Sequence, residues 1–239
     1  MWTQSEMAIE EIRNLNQLWE QVQILNRSNF PESKLKPILG GGQSQSPQIM
    51  FVFINPTYRN QSSDPAWSGP RFPFIGTREV WRIFHRAGFL PPELLDKIEK
   101  LKNWPVEFAE ELEKYIRKES WYLTNLVKWT GEDGNLPDQK KIELFYPLLL
   151  KEIELVKPRY IVAFGLLPFR HLTGETIRMG DYYEKVKEMS GLPTYPLREV
   201  SLPGQVIPCY FPVGRGNPKR AVEILKLLHP LRGKVASAL

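Results

Sequence analysis

Three places in this 239-residue chain set amide or basic side chains where an apolar run stops. Asn55-Pro56-Thr57 closes the run 49–54, Asn125 and Lys128 lie at the end of the run 122–127, and residues 212–219 follow the run 206–211. An asparagine amide carries one acceptor and a donor pair, so it can read the polar edge of a planar ligand or orient a water. Phe74, in the loop after the first run, offers a flat face for stacking. In Gly214-Arg215-Gly216-Asn217-Pro218-Lys219-Arg220, two glycines let backbone approach a phosphate, and Asn217-Pro218 opens a helix whose N-terminus favours anions. Each residue also has a structural alternative: Phe74 in the core, Asn125 in a turn, Asn55 as a cap or turn former before Pro56, and the basic run as a solvated helix face.

Other chemistries find little support. The chain has neither type of glycine-rich phosphate loop and no G-x-S-x-G. Cys209 is the single cysteine, which rules out an internal disulfide and any cysteine-only metal or iron–sulfur site. It sits in the apolar run 206–211 and reads as a core residue. His85, His171 and His229 are scattered without metal-ligand spacing. No metal and no cofactor is expected. Asp64, in the polar loop, is one further carboxylate candidate.

The charge balance is compatible with nucleic acid. Lysine and arginine number 32 against 27 acids, a formal +5. From position 215 onward Arg215, Lys219, Arg220, Lys226, Arg232 and Lys234 face a single acid, Glu223, which can make a phosphate-binding surface. The apolar fraction of 42% supports a sizeable core. Mean hydropathy is -0.35, and no run approaches the roughly 20 apolar residues of a membrane span. Residues 1–10 show no secretory signal. A reducing, cytoplasmic setting and no membrane are expected.

The elements that must position these residues follow from periodicity and punctuation. Helical spacing covers 6–26, and 29–47 reads as loop. A buried strand at 49–54 precedes a polar loop to 76, and Thr77 caps a helix that Gly88 stops. Residues 91–119 read as a charged helical pair, the second helix starting at Pro105. Strands follow at 122–127, 159–164 and 206–211, with helices at 138–156, just after 164, and from 218 to about 228. Residues 174–205, rich in glycine and proline, read as irregular. Apolar strands separated by helices or long connections predict an α/β three-layer sandwich: a central, mostly parallel four-stranded sheet flanked by helices. Ligands in such sheets bind beyond the carboxyl ends of the strands. No linker or composition break appears, so 1–239 reads as one domain, with 91–119 as a helical insertion.

Taken together, the motifs resemble the uracil-DNA glycosylase superfamily. Phe51-Val52-Phe53-Ile54-Asn55-Pro56-Thr57 is similar to its first motif, a strand ending in a polar residue and proline. Gly69-Pro70-Arg71-Phe72-Pro73-Phe74-Ile75-Gly76 resembles its Pro-Phe-Val-Gly segment. Trp121-Tyr122-Leu123-Thr124-Asn125-Leu126-Val127-Lys128 resembles its Tyr-Ile-Thr-Asn-Val-Val-Lys strand, Asn135-Leu136-Pro137 matches its Asn-Arg-x-Pro in part, and the stretch 157–165 looks like its third strand. The resemblance spans 48–228 and is nearest to the thermophilic iron–sulfur branch, whose cluster cysteines this chain lacks.

The resemblance implies a monofunctional enzyme that hydrolyses the N-glycosidic bond of uracil, or a related deaminated base, flipped out of DNA. Asn55 would orient the water. Pro56 and Thr57 would line the base near its O2, Phe74 would stack on it, and Asn125 would pair with N3–H and O4. Pro212, Gly214, Arg215, Gly216, Asn217, Lys219 and Arg220 would form the loop that enters the minor groove and holds phosphates. The partner would be DNA, met by a monomer. Two departures stand out. Many members place a histidine before proline at the fourth strand end, where this chain has Phe211-Pro212. Asn55 stands where several branches have an acid, although the mismatch-specific branch also uses Asn-Pro without that histidine. Slow excision, or excision confined to mismatched or single-stranded uracil, is one expectation. Others are a nucleic-acid-binding module without catalysis and a hydrolase of free nucleosides or nucleotides, the last disfavoured by the long basic segment.

Overall fold

The computed structural model describes residues 9–58, 78–102, 104–132, 134–189, 191–199, 205–214 and 216–229. With strands and helices numbered in chain order, the central strands are β2 (Ile49–Phe53), β3 (Trp121–Asn125), β4 (Tyr160–Phe164) and β6 (Gln205–Cys209). They run parallel in the spatial order β3-β2-β4-β6. Nearly every residue in them is buried, which is why they read as unbroken apolar runs. Two antiparallel edge strands complete the sheet, β1 (Gly41–Gly42) on β3 and β5 (Tyr195–Pro196) on β6. Among the described residues the sheet therefore has six strands rather than the expected four. Two-residue edge strands carry no alternation that a sequence pattern could show, and β1 consists of glycine alone.

Alternation along the strands divides the core. Ile49, Phe51 and Phe53 share one face with Leu123, Val162, Phe164 and Ile207. Five helices cover that face: α2 (Arg78–Arg86), α3 (Pro92–Lys100), α4 (Val106–Lys118), α7 (Met179–Met189) and α8 (Pro218–Lys226). Met50, Val52, Ile161 and Ala163 face the other way, under α1 (Leu15–Asn29), α5 (Gln139–Val156) and α6 (Leu166–Thr173). The result is a mixed α/β sandwich of three layers.

Several helix ends follow their sequence signals. Asp138 caps α5 by accepting from Lys141 N at 2.9 Å, and Asn217 caps α8 by accepting from Arg220 N at 3.1 Å. Pro105 stands immediately before α4, so 91–119 does hold two helices. Two expectations are corrected. The helix expected over 6–26 is interrupted: residues 9–10 are helical, 11–14 are not, and the Asn14 side chain accepts from Gln17 N and starts a helix over Leu15–Asn29. The stretch 174–205 is not wholly irregular, since it contains α7 and β5. Thr77, the expected cap of α2, lies outside the described residues.

Candidate active site at the strand ends

The chain steps from β2 outward to β3, then returns past β2 to β4 and β6. Connections leave β2 and β4 in opposite directions, and ligands of such sheets bind outside the carboxyl ends of the strands at that switch point. Phe53 is in register with Asn125, so Asn55 stands two residues beyond the strand position that pairs with Asn125. The pairing continues past the strands. Leu126 N donates to Phe53 O at 2.8 Å, Val127 N to Ile54 O at 2.9 Å, Gly131 N to Pro56 O at 2.9 Å and Tyr58 N to Gly131 O at 2.9 Å. Asn55-Pro56-Thr57 is thus zipped onto the segment that follows Asn125, with Thr57 bridged to Gly131.

Asn125 is the last residue of β3, not part of a turn, and is 2% exposed. Strand alternation sends its side chain to the Phe53 and Leu123 face. Its Nδ2 has no hydrogen-bond partner among the described residues. A buried donor left so costs about 1–3 kcal/mol, and most buried polar groups avoid it. Half-buried Asn55 donates from Nδ2 to Pro56 O at 3.2 Å, the contact of a turn former, and its Oδ1 accepts nothing among the described residues. Pro56 is buried and Thr57 half-buried.

The end of β6 closes the other side. The Phe211 ring lies 6.4 Å from that of Phe53. A side chain on Gly165 would meet Ile54 at 3.7 Å and Phe211 at 3.8 Å, so the ends of β2, β4 and β6 converge there. The following loop folds back tightly: a Cβ on Gly216 would sit 1.8 Å from the Phe211 carbonyl oxygen, which leaves room for glycine alone. Pro212 is buried, while Gly214 and Lys219 are exposed. Arg220 is engaged within the protein. Its Nη1 donates to Tyr210 OH at 2.8 Å, and its guanidinium lies 4.4 Å over the Tyr183 ring. Phe74, Asp64, Arg215 and the segment 69–76 lie outside the described residues.

Beneath Asn125, on the opposite face of the sheet, lies a charged cluster that sequence reasoning missed in part. Lys128 and Glu152 are both fully buried and paired. Lys128 Nζ also donates to Thr124 Oγ1 at 2.6 Å and to the Asn125 carbonyl at 2.7 Å. Glu152 further accepts from Tyr122 OH at 2.8 Å, Thr124 Oγ1 at 2.8 Å and Gly40 N at 3.1 Å. Burial lowers the Lys128 ammonium below its ordinary range against the pull of Glu152, and burial beside Glu152 raises the Tyr122 hydroxyl well above its own. One signal could have pointed to Glu152. It falls on the buried stripe Phe145, Leu148, Leu149, Ile153 and Val156 of α5, where a charge demands a partner.

An iron–sulfur cluster of the kind carried by the branch that the sequence resembles does not fit. Such clusters take four cysteine thiolates. The chain has only Cys209, fully buried in β6, and burial raises its thiol far from the thiolate form. Among the described residues no three histidine, cysteine, aspartate or glutamate side chains gather to hold a metal. No helix among them is long and apolar enough to cross a membrane.

Comparison with known proteins agrees with the strand-end signatures. Over 76 residues the chain is 30% identical to the type-4 uracil-DNA glycosylase of Pyrobaculum aerophilum. That match spans 32% of this chain and 37% of the relative's length. The family model of the uracil DNA glycosylase superfamily matches residues 39–232, a stretch that includes all four central strands and their carboxyl ends. The chain belongs to the uracil DNA glycosylase superfamily.

Proposed function

We propose that this chain is a single-domain, monomeric DNA glycosylase that hydrolyses the N-glycosidic bond of uracil, or a related deaminated base, extruded from DNA. The observation that carries this reading is the Asn125 amide, buried at a parallel-strand end with its Nδ2 unpaired, beside Asn55. An extruded pyrimidine presents a matching edge. Its O4 takes the orphan donor and its N3–H meets the amide oxygen. Asn55 Oδ1, with no protein donor among the described residues, orients the attacking water. Pro56, which has no N–H, and Thr57 line that side of the base, and nearby backbone N–H groups hold its O2 as negative charge grows there. Phe74 supplies a stacking face worth about 1–3 kcal/mol, comparable to the cost of extrusion. The loop with Pro212, Gly214, Arg215, Gly216 and Asn217 enters the groove, and Lys219 and Arg220 add positive charge toward the phosphates.

One observation favours a second reading, a DNA-binding module of the same fold without catalysis. Phe211, standing where many relatives carry the histidine that stabilises the departing base, packs against Phe53 and cannot donate a hydrogen bond. The two readings separate in one assay. Single-turnover incubation with uracil in a single strand, opposite guanine and opposite adenine should release free uracil from the single strand or the guanine mismatch first. Retained binding with no base released from any of the three would leave the module and remove the enzyme.

A further inference from the structure

The peptide that joins Asn125 to Leu126 has an unusual support. Its N–H, that of Leu126, donates to Phe53 O on β2. N–H and C=O of a trans peptide point in opposite directions, so the Asn125 carbonyl points away from β2, towards the β1 side. There β1 has already stopped: Gly41 pairs with Leu123 and no strand residue faces Asn125. In an ordinary sheet that carbonyl would take a backbone donor from the next strand. Here the Lys128 ammonium takes the place at 2.7 Å. Its three donors are all committed, to the Asn125 carbonyl, Thr124 Oγ1 and Glu152 Oε2. Glu152 in turn is fixed by Tyr122 OH, Thr124 Oγ1 and Gly40 N. Gly40 has no room for a side chain, since a Cβ would sit 2.6 Å from Glu152 Oε1 and 2.4 Å from Tyr122 Cε1.

We propose that Lys128 and Glu152 are positioning residues for base recognition: the buried pair fixes the Asn125 carbonyl, and with it the backbone from which the Asn125 amide is aimed at the base. The inference rests on the reading that Asn125 takes the base edge. Stability alone is a poor reason for such a pair, because well-packed apolar side chains of similar volume often serve as well or better. What the pair supplies is direction. The carbonyl cannot move without leaving a buried ammonium donor unpaired, and a shift of that strand end would carry the Asn125 side chain on the opposite face of the sheet with it.

The test uses the full chain and single-stranded oligonucleotides carrying one 2′-fluoro-2′-deoxyuridine or one 2′-fluoro-2′-deoxycytidine, whose glycosidic bonds resist cleavage, so that binding is read without turnover. The variant K128M/E152Q removes the ammonium while the new glutamine can still accept from Gly40 N and Tyr122 OH and donate to Thr124 Oγ1. It should lower the uracil-over-cytosine affinity ratio at least tenfold, leave affinity for an undamaged strand unchanged, and have no further effect in an Asn125→Ala background. The isosteric Thr124→Val, which takes one acceptor from Lys128 and is gentler on folding, should lower the same ratio about threefold. An unchanged ratio in both variants, or losses that add fully to that of Asn125→Ala, would overturn the positioning role and leave the base-reading role standing. Equal affinity of the wild type for the two oligonucleotides would overturn both.

Discussion

At the scale of single residues, the proposed site rests on groups whose hydrogen bonds the described residues leave unfinished. Among the described residues, Asn125 buries a donor without a partner and Asn55 keeps an oxygen unused. Neither side chain ionises, so in the proposed glycosylase water activation would depend on orientation more than on a strong base. Asn55→Ala should therefore lower single-turnover excision by about 10²-fold, the lower end for a positioned proton-transfer or water-orienting group. Binding to abasic product should be almost unchanged, because Asn55 acts on the water rather than the duplex. Rates from rapid-quench experiments beside product titrations check both halves, and a loss confined to product binding would move Asn55 from catalysis to DNA contact.

At the scale of elements, helices hold the strand ends in place, and α5 matters most because it carries Glu152 beneath the site. Asp138 caps it and also accepts from Lys141 Nζ at 2.5 Å. That ammonium contact, then the Lys141 backbone N–H, holds the carboxyl below the ordinary aspartate range. The stabilisation is therefore fully present above about pH 4 and is lost as the pH falls through the lower folded value. Asp138→Ala should cost about 0.5–2 kcal/mol in urea unfolding at pH 7. Asp138→Asn should keep most of the cap and flatten the decline below pH 4, and an unaltered decline would assign it to other carboxylates. Sequence signals located such capped helices and the four long strands because burial on both faces leaves continuous apolar runs. They failed where geometry replaces side-chain pattern. β1 is two glycines paired through backbone alone, and α7 hides its tyrosine-rich stripe, Tyr182, Tyr183 and Val186, behind Gly180 and the glycines and proline around it. That Asn55 and Asn125 end neighbouring strands could be read from parallel-strand logic. The Lys128–Glu152 pair could not, since its partners stand 24 residues apart on different elements.

At the scale of the whole molecule, a formal charge of +5 and a basic segment after β6 suit a polyanion. The structure divides that segment's candidates. Lys219 is exposed, whereas Arg220 is tied to Tyr210 and Tyr183. Lys219→Ala should reduce the slope of log affinity against log salt by about one and weaken all sequences alike. Arg220→Ala should cost stability as well as affinity, through the lost stack on tyrosine. An unchanged slope for a combined Arg215, Lys219 and Arg220 alanine variant would make the segment a solvated face. The most direct measurement on the molecule is the ratio of uracil to cytosine excision by the wild type and by Asn125→Asp, read from single-stranded substrates under single-turnover conditions. A carboxylate accepts from the cytosine amino group but cannot donate to the uracil O4, so the ratio should fall towards cytosine in the variant. An active Asn125→Asp enzyme with the wild-type ratio would contradict the role of this strand-end amide in reading the base.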